Sequence, residues 1–169
     1  LRDRNGRTYY VYRVGGGEIP DPNHSERRLD LPMSYAKSAN AAFARIGDEM
    51  DPAVMIDYAA RLGFSTPPGQ QIPAAIAVTP SRLAGDVEEI RENDLLRAAT
   101  AIGQGELQTN PFQMAVVVLP VLNDGNLPIP YIVDSIRDPA GLVHRGELKG
   151  QVRRGIMKRE TARQVKEMM

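Results

Sequence analysis

The sequence predicts a mainly helical α+β fold with a few short strands. Three observations carry that expectation. Between residues 31 and 126, apolar side chains recur at spacings of three and four. Two pairs there, Asp51-Pro52 and Asn110-Pro111, join a helix cap to a first-turn proline. The clearest strand candidates lie toward the two ends, so the chain divides into a strand and loop region at 1–30, a helical region at 31–126, and a strand pair with a terminal helix at 127–169.

Taken in order, Thr8 to Val14 is the best strand candidate of the first half, closed by Gly15-Gly16-Gly17. What precedes Asn5-Gly6 is too short for a full partner, so the partner is expected to be missing. Pro20 to Asp30 reads as loop, and Leu31 to Lys37 as a short helix that tolerates Pro32 in its first turn. Phe43, Ile46 and Met50 fall on one face of a helix over 41–50, which Gly47 weakens mildly. Asp51-Pro52 opens the next helix, where Val54, Met55, Tyr58, Ala59 and Leu62 keep helical period until Gly63. Prolines at 67, 68, 73 and 80 predict an irregular crossing from Phe64 to Thr79, with an extended piece at Ala74 to Val78. Ser81 to Ile90 and Asp94 to Ile102 are further helices. Phe112 to Asn123 is apolar almost all round, hence central and buried, and Pro120 predicts a kink or an end near Leu119. Tyr131 to Ile136 and Leu142-Val143 form a strand pair about the turn Asp138-Pro139-Ala140-Gly141, and Arg159 to Met169 is a last helix. Phe43, Met50, Met55, Phe112 and Met114 are assigned to the core.

Composition narrows the function classes. The chain of 169 residues is long enough for one domain or for part of a larger one. With 21 basic residues against 21 acidic ones it has no global field to attract a polyanion, which argues against nucleic acid as a partner. No apolar run approaches a membrane span. Absence of cysteine removes disulfides and thiolate metal sites, and the isolated His24 and His144 make no ligand pair, so no metal or cofactor is expected. Neither P-loop, H-E-x-x-H, G-x-S-x-G nor a complete G-x-G-x-x-G is present.

What remains is Ser38-Ala39-Asn40, a serine and an asparagine that share one cleft if the chain turns between two helices. By itself this is more often the pattern of a helix cap. The surrounding blocks add more: Ser38-Ala39-Asn40-Ala41-Ala42-Phe43 with Ile46-Gly47, Tyr58-Ala59-Ala60-Arg61-Leu62-Gly63-Phe64, and Ala101-Ile102-Gly103-Gln104-Gly105 running into Thr109-Asn110-Pro111-Phe112-Gln113-Met114-Ala115. Asn123-Asp124-Gly125, Pro130, Ile132-Val133 and Asp138-Pro139-Ala140-Gly141 continue in register. In order and spacing these resemble the transpeptidase domain of penicillin-binding proteins over roughly residues 30 to 169.

The resemblance implies a serine acyl transfer on D-Ala-D-Ala stem peptides of peptidoglycan, with a β-lactam accepted as a mimic. In that family a serine of S-x-x-K attacks, its lysine takes the proton, S-x-N relays protons and holds the substrate amide, and K-[ST]-G binds the carboxylate. Only S-x-N carries over: Ser38 as proton relay, Asn40 as the hydrogen-bonding group for the acyl-side amide. Asn110 departs from the usual threonine, and Pro120 stands where a small residue is common. No K-[ST]-G occurs; Lys149-Gly150 and His144-Arg145-Gly146 lack the hydroxyl residue. Ser34-Tyr35-Ala36-Lys37 fits S-x-x-K by letter, but it abuts Ser38 and cannot open a separate helix facing the same cleft.

The resemblance thus implies the middle of a transpeptidase domain, its helical subdomain with an incomplete sheet, inert alone and active in a parent anchored at the extracytoplasmic face of the bacterial membrane. Its partners would be the rest of that domain and, in the intact protein, stem peptide or β-lactam. The apolar face left by the absent nucleophile helix predicts dimerisation, partner binding or swapping. The alternative is a non-catalytic relative that binds a cell-envelope partner. An unrelated helical interaction domain would require all three blocks to coincide by chance.

Overall fold

In the computed structural model, residues 5–22, 28–64, 79–131, 134–145 and 150–169 are described. His24, most of the crossing after Phe64 including the extended piece at Ala74 to Val78, Ile132-Val133, Gly146 and Lys149 lie outside these residues. Contacts divide the chain into two compact units, Leu1–Ala59 with Arg82–Gln108 and Met168–Met169, and Ala60–Ser81 with Thr109–Glu167.

The first unit opens with β1 (Tyr10–Val14) and β2 (Gly17–Asp21), antiparallel from Tyr10↔Asp21 to Val14↔Gly17. The partner of the first strand is therefore present and follows it, correcting the expectation that it is missing. Gly15 and Gly16, at φ +54° and +76°, make the two-residue turn that the right-handed twist of a hairpin favours. Pro20 hides β2 in the sequence because proline reads as loop, although an edge position tolerates it.

Helix α1 (Leu31–Ala36) is capped by Asp30, whose Oδ1 accepts from the Met33 amide at 2.8 Å. It is followed by α2 (Asn40–Glu49), α3 (Pro52–Arg61), α4 (Glu89–Glu92) and α5 (Asp94–Ala101). Asp51 Oδ1 caps α3 through the Ala53 amide, and Gly63 at φ +98° ends it, as the cap-and-proline pair predicts. No residue of α3 is fully buried. The helix expected over 81–90 is reduced to α4. Residues before it are held instead by an Arg82↔Gln108 bridge and by Glu106, which accepts from the Gly85 amide at 2.7 Å. Val14, Ile19, Ala44 and Ala98 form this unit's core, with Tyr12, Leu95, Ala99 and Ile102 against it.

Gly47 is not the weakness its helix propensity suggests. A Cβ there would collide with the Ala101 methyl, so its absence lets α2 and α5 cross closely. The buried residues of α2 are accordingly Ala44 and Gly47, while Phe43 and Met50 are half-buried and Ile46 is exposed.

In the second unit α6 (Pro111–Leu122) runs through Pro120 instead of ending near Leu119. Pro120 is fully buried, and its carbonyl accepts the Asn123 and Gly125 amides, the latter at 2.8 Å, closing the helix three residues later. Burial is one-sided: Gln113, Val116, Pro120 and Val121 face inward, whereas Met114 and Leu122 are exposed, which corrects both the all-round burial and the core assignment of Met114. β3 (Leu127–Pro128) pairs antiparallel with a distant strand that sequence periodicity missed, numbered β6 below. The hairpin is β4 (Ser135–Arg137) with β5 (Val143–Arg145), so its strands lie a few residues later than expected, and Asp138 closes the turn through the Leu142 amide. β6 (Val152–Arg153) and α7 (Arg159–Met168) complete the unit. Its core is Val116, Leu127, Ile129 and Ile156, with Leu62, Phe112 and Leu119 against it. The described strands form three separate two-stranded antiparallel sheets, and the fold class is the helix-rich α+β expected.

Candidate active site

Ser38 and Asn40 sit at the junction of α1 and α2, where the backbone is fixed from both sides. α1 ends at Lys37. The Ser38 amide donates to Tyr35 O at 3.0 Å and the Ala39 amide to Ser34 O at 2.9 Å, the pair of reverse bonds that terminates a helix when the next residue turns left-handed. That residue is Ser38, at φ +54°. Glycine is the usual occupant, and a side chain there costs about 1 kcal/mol. Non-glycine residues are uncommon in this region; among the described residues the other is Asp124, at φ +51°.

Ala39 is 2% exposed and anchors the turn, while Ser38 is exposed and Asn40 half-buried. The Tyr35 and Phe43 rings meet edge to face at 6.3 Å, bracing α1 against α2. The hydroxyl of Ser38 is thus presented to solvent on a rigid corner, with Asn40 two residues on in the first turn of α2. Such a corner can pass a proton and offer an amide to a bound substrate. Ser34 and Lys37, the pair that spells S-x-x-K, part company: Ser34 is 2% exposed inside α1, and Lys37 is exposed at its C-cap.

Two polar arrangements around the corner were not read from the sequence. Asp21, 3% exposed at the end of β2, accepts the Ala41 amide at 3.1 Å, and Asn40 Nδ2 reaches Pro20 O at 3.5 Å. At the other end of α2, Arg97 is buried and donates to the Gly47, Asp48 and Ile90 carbonyls at 3.1–3.2 Å and to Asp94 Oδ1 at 2.6 Å. Tyr12 OH donates to Asp48 Oδ2 at 2.6 Å; that bond, with some burial, pushes the phenol up to about 12. The Asp94–Arg97 pair is local, three residues apart on α5, but the contacts of Asp21 with Ala41, of Arg97 with Gly47 and Asp48, and of Tyr12 with Asp48 span 20 to 50 positions and leave no local signal.

Asn110, the departure from threonine, has a structural use in the second unit. Its Oδ1 caps α6 through the Gln113 amide while Nδ2 donates to Thr79 O at 2.7 Å, accepting and donating from two separate atoms. In the first unit an open cavity of about 620 Å³ is lined by Tyr10, Leu31, Ser34, Ala42, Arg45 and Ile46 among others. Glu49, bonded to Arg45, raises that guanidinium's pKa. Among the described residues no group of three His, Cys, Asp or Glu side chains could hold a metal ion, and no helix is long and apolar enough to cross a membrane.

Comparison with known proteins extends this geometry. The profile of the penicillin binding protein transpeptidase domain matches residues 5–169. The peptidoglycan D,D-transpeptidase PbpA of Mycolicibacterium smegmatis is 29% identical over 111 residues, covering 66% of this chain and 21% of the relative. Its namesake from Mycobacterium tuberculosis is 24% identical over 164 residues, covering 97% of this chain and 31% of the relative. The chain thus spans a third or less of the curated relatives it matches. Penicillin-binding protein A from M. tuberculosis, solved as an imipenem acyl-enzyme complex, superposes with a TM-score of 0.80 at 21% identity, over 94% of this chain and 36% of that one. Penicillin binding protein 3 from the same organism, complexed with aztreonam, gives 0.75 at 20% identity, over 94% and 34%.

Proposed function

This chain belongs to the penicillin-binding protein transpeptidase family, and we propose that it supplies the S-x-N corner of a peptidoglycan D,D-transpeptidase that cross-links D-Ala-D-Ala stem peptides by serine acyl transfer outside the cell membrane. Ser38 relays the proton between the attacking serine, the base and the leaving group; Asn40 hydrogen-bonds the acyl-side amide. The observation that carries this reading is the left-handed Ser38 between α1 and α2, a hydroxyl displayed where glycine would fold better. β-Lactams acylate the intact protein because their carbonyl mimics the stem-peptide bond under attack.

The chain alone is inert in this reading. It lacks K-[ST]-G, and its one S-x-x-K by letter has the serine buried in α1 and the lysine exposed. The nucleophile belongs to the remainder of the transpeptidase domain, and the open cavity of the first unit, where Leu31, Ala42 and Ile46 lie beside Ser34 and Arg45, is where that remainder packs.

The test is intact mass after incubation with a reactive penicillin. This chain is expected to stay unmodified while the intact protein gains one adduct. Ser38→Ala in the intact protein should slow acylation by about 10²-fold or more. An unchanged rate removes Ser38 from the mechanism, and an adduct on this chain that Ser34→Ala abolishes makes Ser34 the nucleophile. An intact protein that never acylates favours the non-catalytic, partner-binding relative.

A further inference from the structure

We infer that Asp21 is a positioning residue for the Ser38–Asn40 corner, an inference that rests on the function just proposed for those two residues. Helix α2 begins without a cap of its own. Its N-cap position is Ala39, which has no side-chain acceptor, so the free amides of the first turn need a partner from elsewhere. Asp21 provides it across 20 residues of sequence, with Oδ2 3.1 Å from the Ala41 amide. A carboxylate at this end also complements the positive pole of the helix.

The placement is specific. β2 ends at Asp21, in register with Tyr10, and the carboxylate is 3% exposed; burying one is unfavourable unless its lone pairs are used. The preceding residue contributes as well, since Pro20 O faces Asn40 Nδ2 at 3.5 Å. The corner is therefore clamped on its N-terminal side by the end of α1, through Ser34 O and Tyr35 O, and on its C-terminal side by the end of β2. Only two residues, Ser38 and Ala39, lie between the clamps. If the second clamp opens, the first turn of α2 is free to rotate, and the Asn40 amide and Ser38 hydroxyl leave their common orientation. Misplacement of about 1 Å costs on the order of 10²-fold in rate.

The experiment compares Asp21→Ala, Asp21→Asn and Ser38→Ala in the intact protein, by penicillin acylation kinetics below the melting onset of each variant. Asp21→Ala is expected to slow the acylation step at least about tenfold, with the noncovalent binding constant within about threefold of the parent. Asp21→Asn, which keeps an oxygen acceptor for the Ala41 amide, should restore the rate to within about threefold. Were Asp21→Ala to acylate normally while Ser38→Ala is slow, the positioning role would be overturned and the reading of Ser38 would stand. Ser38→Ala at the parent rate, or an intact protein that never acylates, would overturn that reading and this one with it. If Asp21→Ala fails to fold, amide exchange decides: Ala41 should exchange at least about tenfold slower than an unstructured peptide in the unsubstituted protein, and unprotected exchange there overturns the clamp.

Discussion

The two units reach stability by different means. The first is tied by directional contacts: the Arg97 guanidinium shared among three carbonyls and two carboxylates, Tyr12 on Asp48, and a glycine that lets α2 touch α5. Its central cluster, Val14, Ile19, Ala44 and Ala98, includes two alanines where α2 meets α5, and Ile90, shortly before α5 in sequence, is buried as well. The second is held by bulk, with Val116, Leu127, Ile129 and Ile156 packed beneath α6. Directional contacts fix orientation, whereas apolar burial fixes proximity and tolerates sliding. The Ser38–Asn40 corner lies in the unit where orientation is fixed.

The sharpest way to break this contrast is to remove one anchor from each unit. Arg97→Met keeps volume but leaves three carbonyls without this donor, at about 1–3 kcal/mol each, while Asp94 is exposed and Asp48 keeps Tyr12; it should cost about 3–5 kcal/mol in urea unfolding. Leu127→Ala in the second core should cost about 2–4 kcal/mol. If Arg97→Met proved the milder of the two, the polar account of the first unit would fail. Next in size, Gly47→Ala forces α2 and α5 apart and should cost about 1–3 kcal/mol, read from the same melts; a neutral outcome would show that the crossing has slack.

Tyr12→Phe should cost about 1 kcal/mol. Its signature is in pH. The Asp48 bond pushes the folded phenol up from the ordinary 10.0 to about 12, so its contribution is whole below pH 10 and is lost as pH rises from 10 through 12. The parent should therefore lose stability relative to Tyr12→Phe across that window, and parallel pH profiles would show that the Asp48 bond does not form in solution. Smallest, and opposite in sign, Ser38→Gly should raise stability by about 0.5–1 kcal/mol by accommodating φ +54° while slowing acylation of the intact protein. A destabilised Ser38→Gly would mean that the serine is there for folding.

Legibility in the sequence followed the range of the contact. Asp51-Pro52 and Asn110-Pro111 announced α3 and α6 correctly, because a cap bonds within three residues. The family blocks marked Ser38 and Asn40, and the α1–α2 junction is visible as two periodic runs separated by a short polar step. The long-range contacts of Asp21 and Arg97 were invisible, reaching 20 and about 50 residues away although the Asp94–Arg97 pair is local, and nothing local distinguishes a buried aspartate from one in a loop. The same holds for β3 and β6, two-residue strands too short to show alternation. Misreadings such as an early end at Leu119 came from applying an intrinsic preference where packing overrides it, as at the buried Pro120.

The β4–β5 ribbon has a practical consequence. Its tip, Pro139-Ala140-Gly141, is exposed, and the strands beside it pair with each other, with Asp138 already tying the ends through Leu142. Extra residues between Pro139 and Ala140 lengthen a loop whose closure is secured, at an entropic cost of only about 0.6 kcal/mol per doubling. An epitope or a dye-bearing cysteine placed there would label this cysteine-free chain at a single position far in sequence from Ser38.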